Sequence, residues 1–146
     1  MSDPLKQSVE KIKSATATVN RVVDQLLTVV KSVEDFLCEN GVGVEAHVTV
    51  CEEEVGHGQT EYTSIGYSRW EGRFRVIVSC GIGPEDDTTK PWGSWDRKMK
   101  LLTAPKLPDL LEKIAVEIEK ETEAALEAAS RVSAALGALT MKGGKK

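Results

Sequence analysis

The sequence predicts an α+β fold: a long N-terminal helix, an antiparallel β-meander of three to four strands and a long C-terminal helix (α-β-β-β-(β)-α), with the helices antiparallel and packed on one sheet face. Three observations carry this. Leu5, Val9, Ile12, Thr16, Val19, Val23, Leu26, Val30, Val33 and Leu37 follow one another at gaps of four and three, an apolar heptad seam broken only by Thr16. From Val42 to Cys80 the apolar period falls to two, with β-branched residues prominent. After Leu107 the helical spacing returns, in Leu111, Ile114, Ile118, Ala125, Val132 and Leu139.

The first helix is expected over about 4–40. Asp3 is a natural N-cap, Pro4 suits the first helical position, and Asn40-Gly41 supplies a stop. At about 1.5 Å per residue it is roughly 50 Å long. A compact chain of this size has a diameter of about 40 Å. The helix should therefore overhang its own domain. Val22, Val29 and Phe36 add a second row beside the seam, so the later half is expected to press a broad apolar face onto a sheet. The earlier half has only the narrow seam. Ser14 to Thr18 is its weakest stretch, the place to expect a kink or break.

Strand one is expected over about 42–52. Val42, Val44, Ala46, Val48 and Val50 face inward, while His47, Thr49 and Cys51 face outward. The polar run from Glu52 to Gln59 then reads as a connection. Strands over about 61–70 and 73–80 form a hairpin turning at Glu71-Gly72, which pairs Trp70 with Arg73, Arg69 with Phe74, Tyr67 with Val76 and Ile65 with Val78. Residues 82–95 read as a long, turn-rich loop of the kind that is functional or mobile. A fourth, edge strand is expected at 95–102, where Arg97, Lys98 and Lys100 would discourage further pairing. The second long helix is expected over about 108–139, its seam interrupted at Glu121 or Thr122 and Ala-rich beyond Ala124. Residues 141–146 read as a flexible tail, which makes 1–140 one domain.

The composition bounds the function. At 146 residues the chain can bury a real core in a single domain. Aromatics are only 5% of residues, so aliphatic side chains and Ala must build most of that core. A net charge of -4, with neither sign gathered in one third of the chain, argues against nucleic acid as a partner. There is no secretory pattern and no apolar run long enough to span a bilayer, so no membrane partner is expected. Three cysteines, Cys38, Cys51 and Cys80, are an odd, widely spaced set, which points to a reduced, cytoplasmic setting.

Catalytic motifs are sparse. His47 and His57 are the only histidines, and Cys51 with His57 and Glu52 to Glu54 does not make a recognisable metal-ligand spacing. Gly-x-Ser-x-Gly is absent. Gly81-Ile82-Gly83-Pro84 follows a strand, but no helix follows it to complete a phosphate cradle. The acidic runs at Glu52 and Glu85 suit solvated charge better than paired catalytic carboxylates. No catalytic residue, metal or cofactor is assigned.

Two constellations remain. Arg69, Arg73 and Arg75 interleave with Trp70 and Phe74 around a hairpin tip, and Trp92 and Trp95 flank Gly93-Ser94. Arginine forks beside aromatic faces suit a small anionic ligand or nucleobase. The competing reading has solvated arginines, with tryptophans that plug a gap under a folded-back loop. The second constellation is the overhang. Leu5, Val9 and Ile12 at one end, and Ala128, Val132, Leu136 and Leu139 at the other, form seams that lie beyond the sheet. They can pair as a two-helix arm, but two narrow seams leave apolar surface uncovered, so a second copy is expected to complete a bundle. The leading expectation is a non-enzymatic, self-associating interaction or scaffold module, a homodimer or higher oligomer. A binding module for a small anionic ligand or nucleic acid on the Arg/Trp face comes second, and an enzyme last.

Overall fold

The computed structural model of the chain describes residues 3–83 and 86–143, with side chains of the last helix as far as 140. Helix α1 (Pro4–Glu39) begins where the sequence places it. The Asp3 side chain accepts from the Leu5 N–H at 3.1 Å, and Pro4 takes the first turn. Its end is a Schellman cap. Gly41 sits at φ 68°, its N–H reaches Cys38 C=O at 3.1 Å, and Val42 N–H reaches Leu37 C=O at 2.9 Å. The helix runs through Ser14 to Thr18 without a break.

Four strands follow: β1 (Ala46–Gly56), β2 (Gln59–Trp70), β3 (Arg73–Gly81) and β4 (Thr88–Pro91), neighbours in that order and all antiparallel. The β2–β3 hairpin has the expected register, from Trp70 opposite Arg73 to Ile65 opposite Val78. Its turn residues Glu71 and Gly72 both have positive φ, 47° and 90°, as a two-residue hairpin of right-handed strands requires.

The Glu52–Gln59 segment is not a loop. β1 continues to Gly56 and turns on His57 and Gly58, at φ 54° and 71°. The glutamates stand on a solvated two-stranded ribbon, where backbone pairing outweighs their poor strand propensity. A bulge at Val50 also changes the register, since Thr49 faces Ser64 but Cys51 faces Thr63. The extra residue turns Cys51 onto the inner face, not the outer one.

The segment 82–95 also carries structure. It supplies β4, and Trp92–Ser94 forms a 3-10 turn. The fourth strand is therefore Thr88–Pro91, and the strand expected at 95–102 is instead helix α2 (Arg97–Thr103). Asp96 decides this: its Oδ1 accepts from the Met99 N–H at 2.9 Å, an N-cap that starts a helix in a run of Lys, Met and Leu. Helix α3 (Leu107–Gly143) follows a short 3-10 turn at Ala104–Lys106. It extends past 139 into the segment read as tail; 144–146 lie outside the described residues.

Both long helices lie on the same sheet face, α1 against β3 and α3 against β1 and β2. The seam of α1 splits as it travels. Val23, Val30 and Leu37 are buried, whereas everything from Leu5 to Thr18 is exposed. Val22, Val29 and Phe36 do not join the sheet-facing side, and Phe36 is 62% exposed. A helix can turn only one stripe toward a flat sheet, and Val30 and Leu37 occupy it. The core combines Val30, Leu37, Ile65, Tyr67, Val76, Val78, Leu110 and Ile114 with Trp92, which is 1% exposed.

A cluster of polar contacts centred on Glu34 joins α1 to the sheet. β4 pairs with β3 only from Ile77 to Cys80. The rest of β3's outer edge meets α1, where Glu34 Oε2 accepts from the buried Val76 N–H at 2.8 Å and from Arg75 Nε at 3.4 Å. Cys38 Sγ donates to the Phe74 carbonyl at 3.5 Å. Glu34→Ala should orphan the Val76 N–H and lower stability by about 2–3 kcal/mol in urea unfolding, whereas Glu34→Gln, which keeps an acceptor, should lose less than half of that. Equal losses would show that the amide contact is not what matters.

Candidate functional site

The residues singled out in the sequence do not gather in one place. Leu5, Val9 and Ile12 lie on a free stretch of α1; Leu5 is 70% and Ile12 65% exposed. Ala128, Val132, Leu136 and Leu139 lie on an equally free stretch of α3; Val132 and Leu136 are each 58% and Leu139 65% exposed. Every residue over 4–18 and over 119–140 is exposed, so neither arm buries its seam on the other within one chain. At about 1.5 Å per residue the two arms project roughly 22 and 33 Å. Val29, Val33, Phe36 and Leu111 line an almost wholly apolar groove of about 340 Å³ along the helical layer.

The Arg/Trp set is dispersed. Trp92 is a core residue whose indole N–H donates to Thr103 Oγ1 at 3.0 Å. Trp95 pins β4 and the following turn, its indole N–H shared at 3.1 Å between the carbonyls of Val78 and Lys90, with the Lys90 ammonium over its ring. Arg69 lies over the Phe74 ring, 5.6 Å from the centroid. The indole N–H groups of Trp92 and Trp95 are thus both used within the fold.

Only Arg73 and Arg75 stay together. With Lys31, Glu34, Asp35 and Leu27 they line a cleft of about 210 Å³ between α1 and β3. Their charges face carboxylates: Arg73 pairs with Asp35 and Arg75 with Glu34, each at 3.4 Å. No sequence signal marked this cleft, because Lys31, Glu34 and Asp35 read simply as the polar flank of a seam.

The bulge at Val50 assembles a second cleft of about 210 Å³ beneath α2, lined by Cys51, Glu53, Glu61, Thr63 and Cys80 with Lys98 and Met99. Cys51, Thr63 and Cys80 form one cross-strand row. Thr63 Oγ1 donates to Cys80 Sγ at 3.6 Å, and Cys80 donates to Glu61 at 3.2 Å. Burial, and then its hydrogen bond to the Glu61 carboxylate, holds the Cys80 thiol above its ordinary pKa, the opposite of a primed nucleophile. Among the described residues no three His, Cys, Asp or Glu side chains converge as metal ligands, and no helix is long and apolar enough to cross a membrane. His47 lies on the outer face against Gly66, and His57 is in a hairpin turn.

Tyr67 is the most perturbed acid. It is fully buried, its O–H donates to the Val42 carbonyl at 2.9 Å, and Cys38 Sγ lies 3.9 Å away. Burial first, then Cys38 and the Glu34 charge, raise its pKa well above the ordinary 10.0. The folded state therefore keeps a proton that the unfolded chain releases above about pH 10. The stability advantage over Tyr67→Phe should be full below that pH, about 1 kcal/mol, and shrink as pH rises beyond it. A pH-independent difference in denaturant midpoints would contradict the assignment.

Compared with family models, with curated proteins and with solved structures, the chain matches none.

Proposed function

We propose that this chain is a non-enzymatic, self-associating interaction or scaffold module that oligomerises through its two long helices, as a dimer or higher assembly. The observation that carries this reading is the pair of helical arms, over 4–18 and 119–140, with apolar seams in solvent. Isolated amphipathic helices of this length are marginal in water, and their seams gain most by meeting other helices. The apolar groove at Val29, Val33, Phe36 and Leu111 adds to that uncovered apolar surface. Three free cysteines fit a reducing, cytoplasmic location.

Light scattering coupled to size exclusion tests the reading directly. Wild type should elute at a multiple of the chain mass at micromolar concentration, and Val9→Asp/Ile12→Asp should lower that mass while leaving the sheet's circular dichroism intact. A monomeric wild type, or an unchanged oligomer in the variant, would sink it.

A narrower second reading is a small anionic ligand in the cleft of Lys31, Arg73 and Arg75, three cations against the two carboxylates of Glu34 and Asp35. Inorganic phosphate or nucleotides should then raise the melting temperature of wild type but not of Arg73→Ala/Arg75→Ala. The same shift in both proteins would place the ligand elsewhere.

A further inference from the structure

The two arms carry opposite charge. Over 4–18, Lys6, Lys11 and Lys13 stand against Glu10 alone, a net charge of +2. Over 119–140, Glu119, Glu121, Glu123 and Glu127 stand against Lys120 and Arg131, a net charge of -2. Intrachain ion pairs do not exhaust these groups. Lys120 is held by Glu117 at 3.3 Å and Arg131 by Glu127 at 2.7 Å. Among the described residues, no ion pair involves Lys6, Lys11 or Lys13, and none involves Glu119, Glu121 or Glu123. One arm thus carries three cations, and the other three anions, outside any ion pair among the described residues.

Their positions matter as much as their number. Lys6 and Lys13 each follow a seam residue, Leu5 and Ile12, and so border the seam. Glu119 follows Ile118, and Glu121 precedes Thr122, in the corresponding borders of α3. Charges that border a helical seam choose the partner and its orientation, because they are close enough to attract or repel across it.

We infer that the N-terminal arm of one copy pairs with the C-terminal arm of a second copy, rather than like arms pairing with each other. This rests on the self-association proposed above and adds which surface meets which. Like-arm pairing would set Lys6 and Lys13 against lysines and Glu119 and Glu121 against glutamates. Cross-arm pairing turns both repulsions into attractions. It also gives the same patch pair twice in a two-fold dimer, N-arm on C-arm and C-arm on N-arm, the self-complementary arrangement that closes.

Charge exchange distinguishes the modes. Lys6→Glu/Lys11→Glu/Lys13→Glu should raise the dimer dissociation constant about tenfold or more, and Glu119→Lys/Glu121→Lys/Glu123→Lys should do the same. Combining all six substitutions in one chain should restore wild-type association, since the arms are again opposite in sign. Like-arm pairing requires the opposite result, because the six-fold variant then repels itself more strongly than wild type. The wild-type chain gives an independent reading without any substitution. Added salt should loosen a cross-arm oligomer and tighten a like-arm one. A wild-type oligomer that tightens with salt, or a six-fold variant that stays monomeric, overturns the cross-arm inference alone. A wild type that is monomeric at every salt concentration overturns self-association itself.

Discussion

A strand edge in a folded protein must be paired, covered or solvated, and β3 has an edge that β4 is too short to finish. The carboxylate of Glu34 completes it by taking the Val76 N–H, and Cys38 takes the neighbouring Phe74 carbonyl. That contact fixes α1 in both position and rotation. One residue of rotation would swing Glu34 off the edge by about 100° and lift Val30 and Leu37 from Ile65 and Val78. The buried acid thus settles which stripe of a long helix is core and which is surface. Arg75 lies close enough to share the charge, so the carboxylate is not left bare against the sheet.

The parts of the fold governed by local periodicity were legible in the sequence. The heptad seam, its Asp3 cap and its Asn40-Gly41 stop define α1 almost to the residue. Inward alternation and a positive-φ turn determine the β2–β3 register. The misread parts turn on single residues whose effect is not periodic. The Val50 bulge has no signature in β-branched alternation, yet it moves Cys51 to the other face. Asp96 converts a basic, apolar stretch from strand to helix by satisfying one amide. His57-Gly58 closes a hairpin that a run of glutamates had disguised as a loop. Trp92 and Trp95 illustrate a wider ambiguity: an indole that could stack on a ligand looks the same in sequence as one that fills a hole. Only partners such as Thr103 separate the two roles.

The body of the protein uses its polar chemistry on itself. Arg73 and Arg75 answer Asp35 and Glu34, Tyr67 answers Val42, and Cys80 answers Glu61. No side-chain N or O atom buried from solvent among the described residues lacks a partner. The surplus lies in the arms, as apolar seam and unused charge. The buried core and the exposed seams thereby fall to different segments of the same two helices, so the proposed association surface can be altered without disturbing the core.

A seven-residue stripe is not straight on an α-helix. Each heptad falls about 20° short of two full turns, so a row that starts beneath Leu37 has rotated by about 80° four heptads earlier, at Val9. The sequence keeps one unbroken pattern, but the direction it faces changes along the rod. Where the pattern is buried it looks down onto the sheet, and where it is bare it looks sideways, past the rim of the domain. A partner meeting Val9 would therefore approach from the flank and leave the outer face of the sheet, with His47 and Ser68, uncovered.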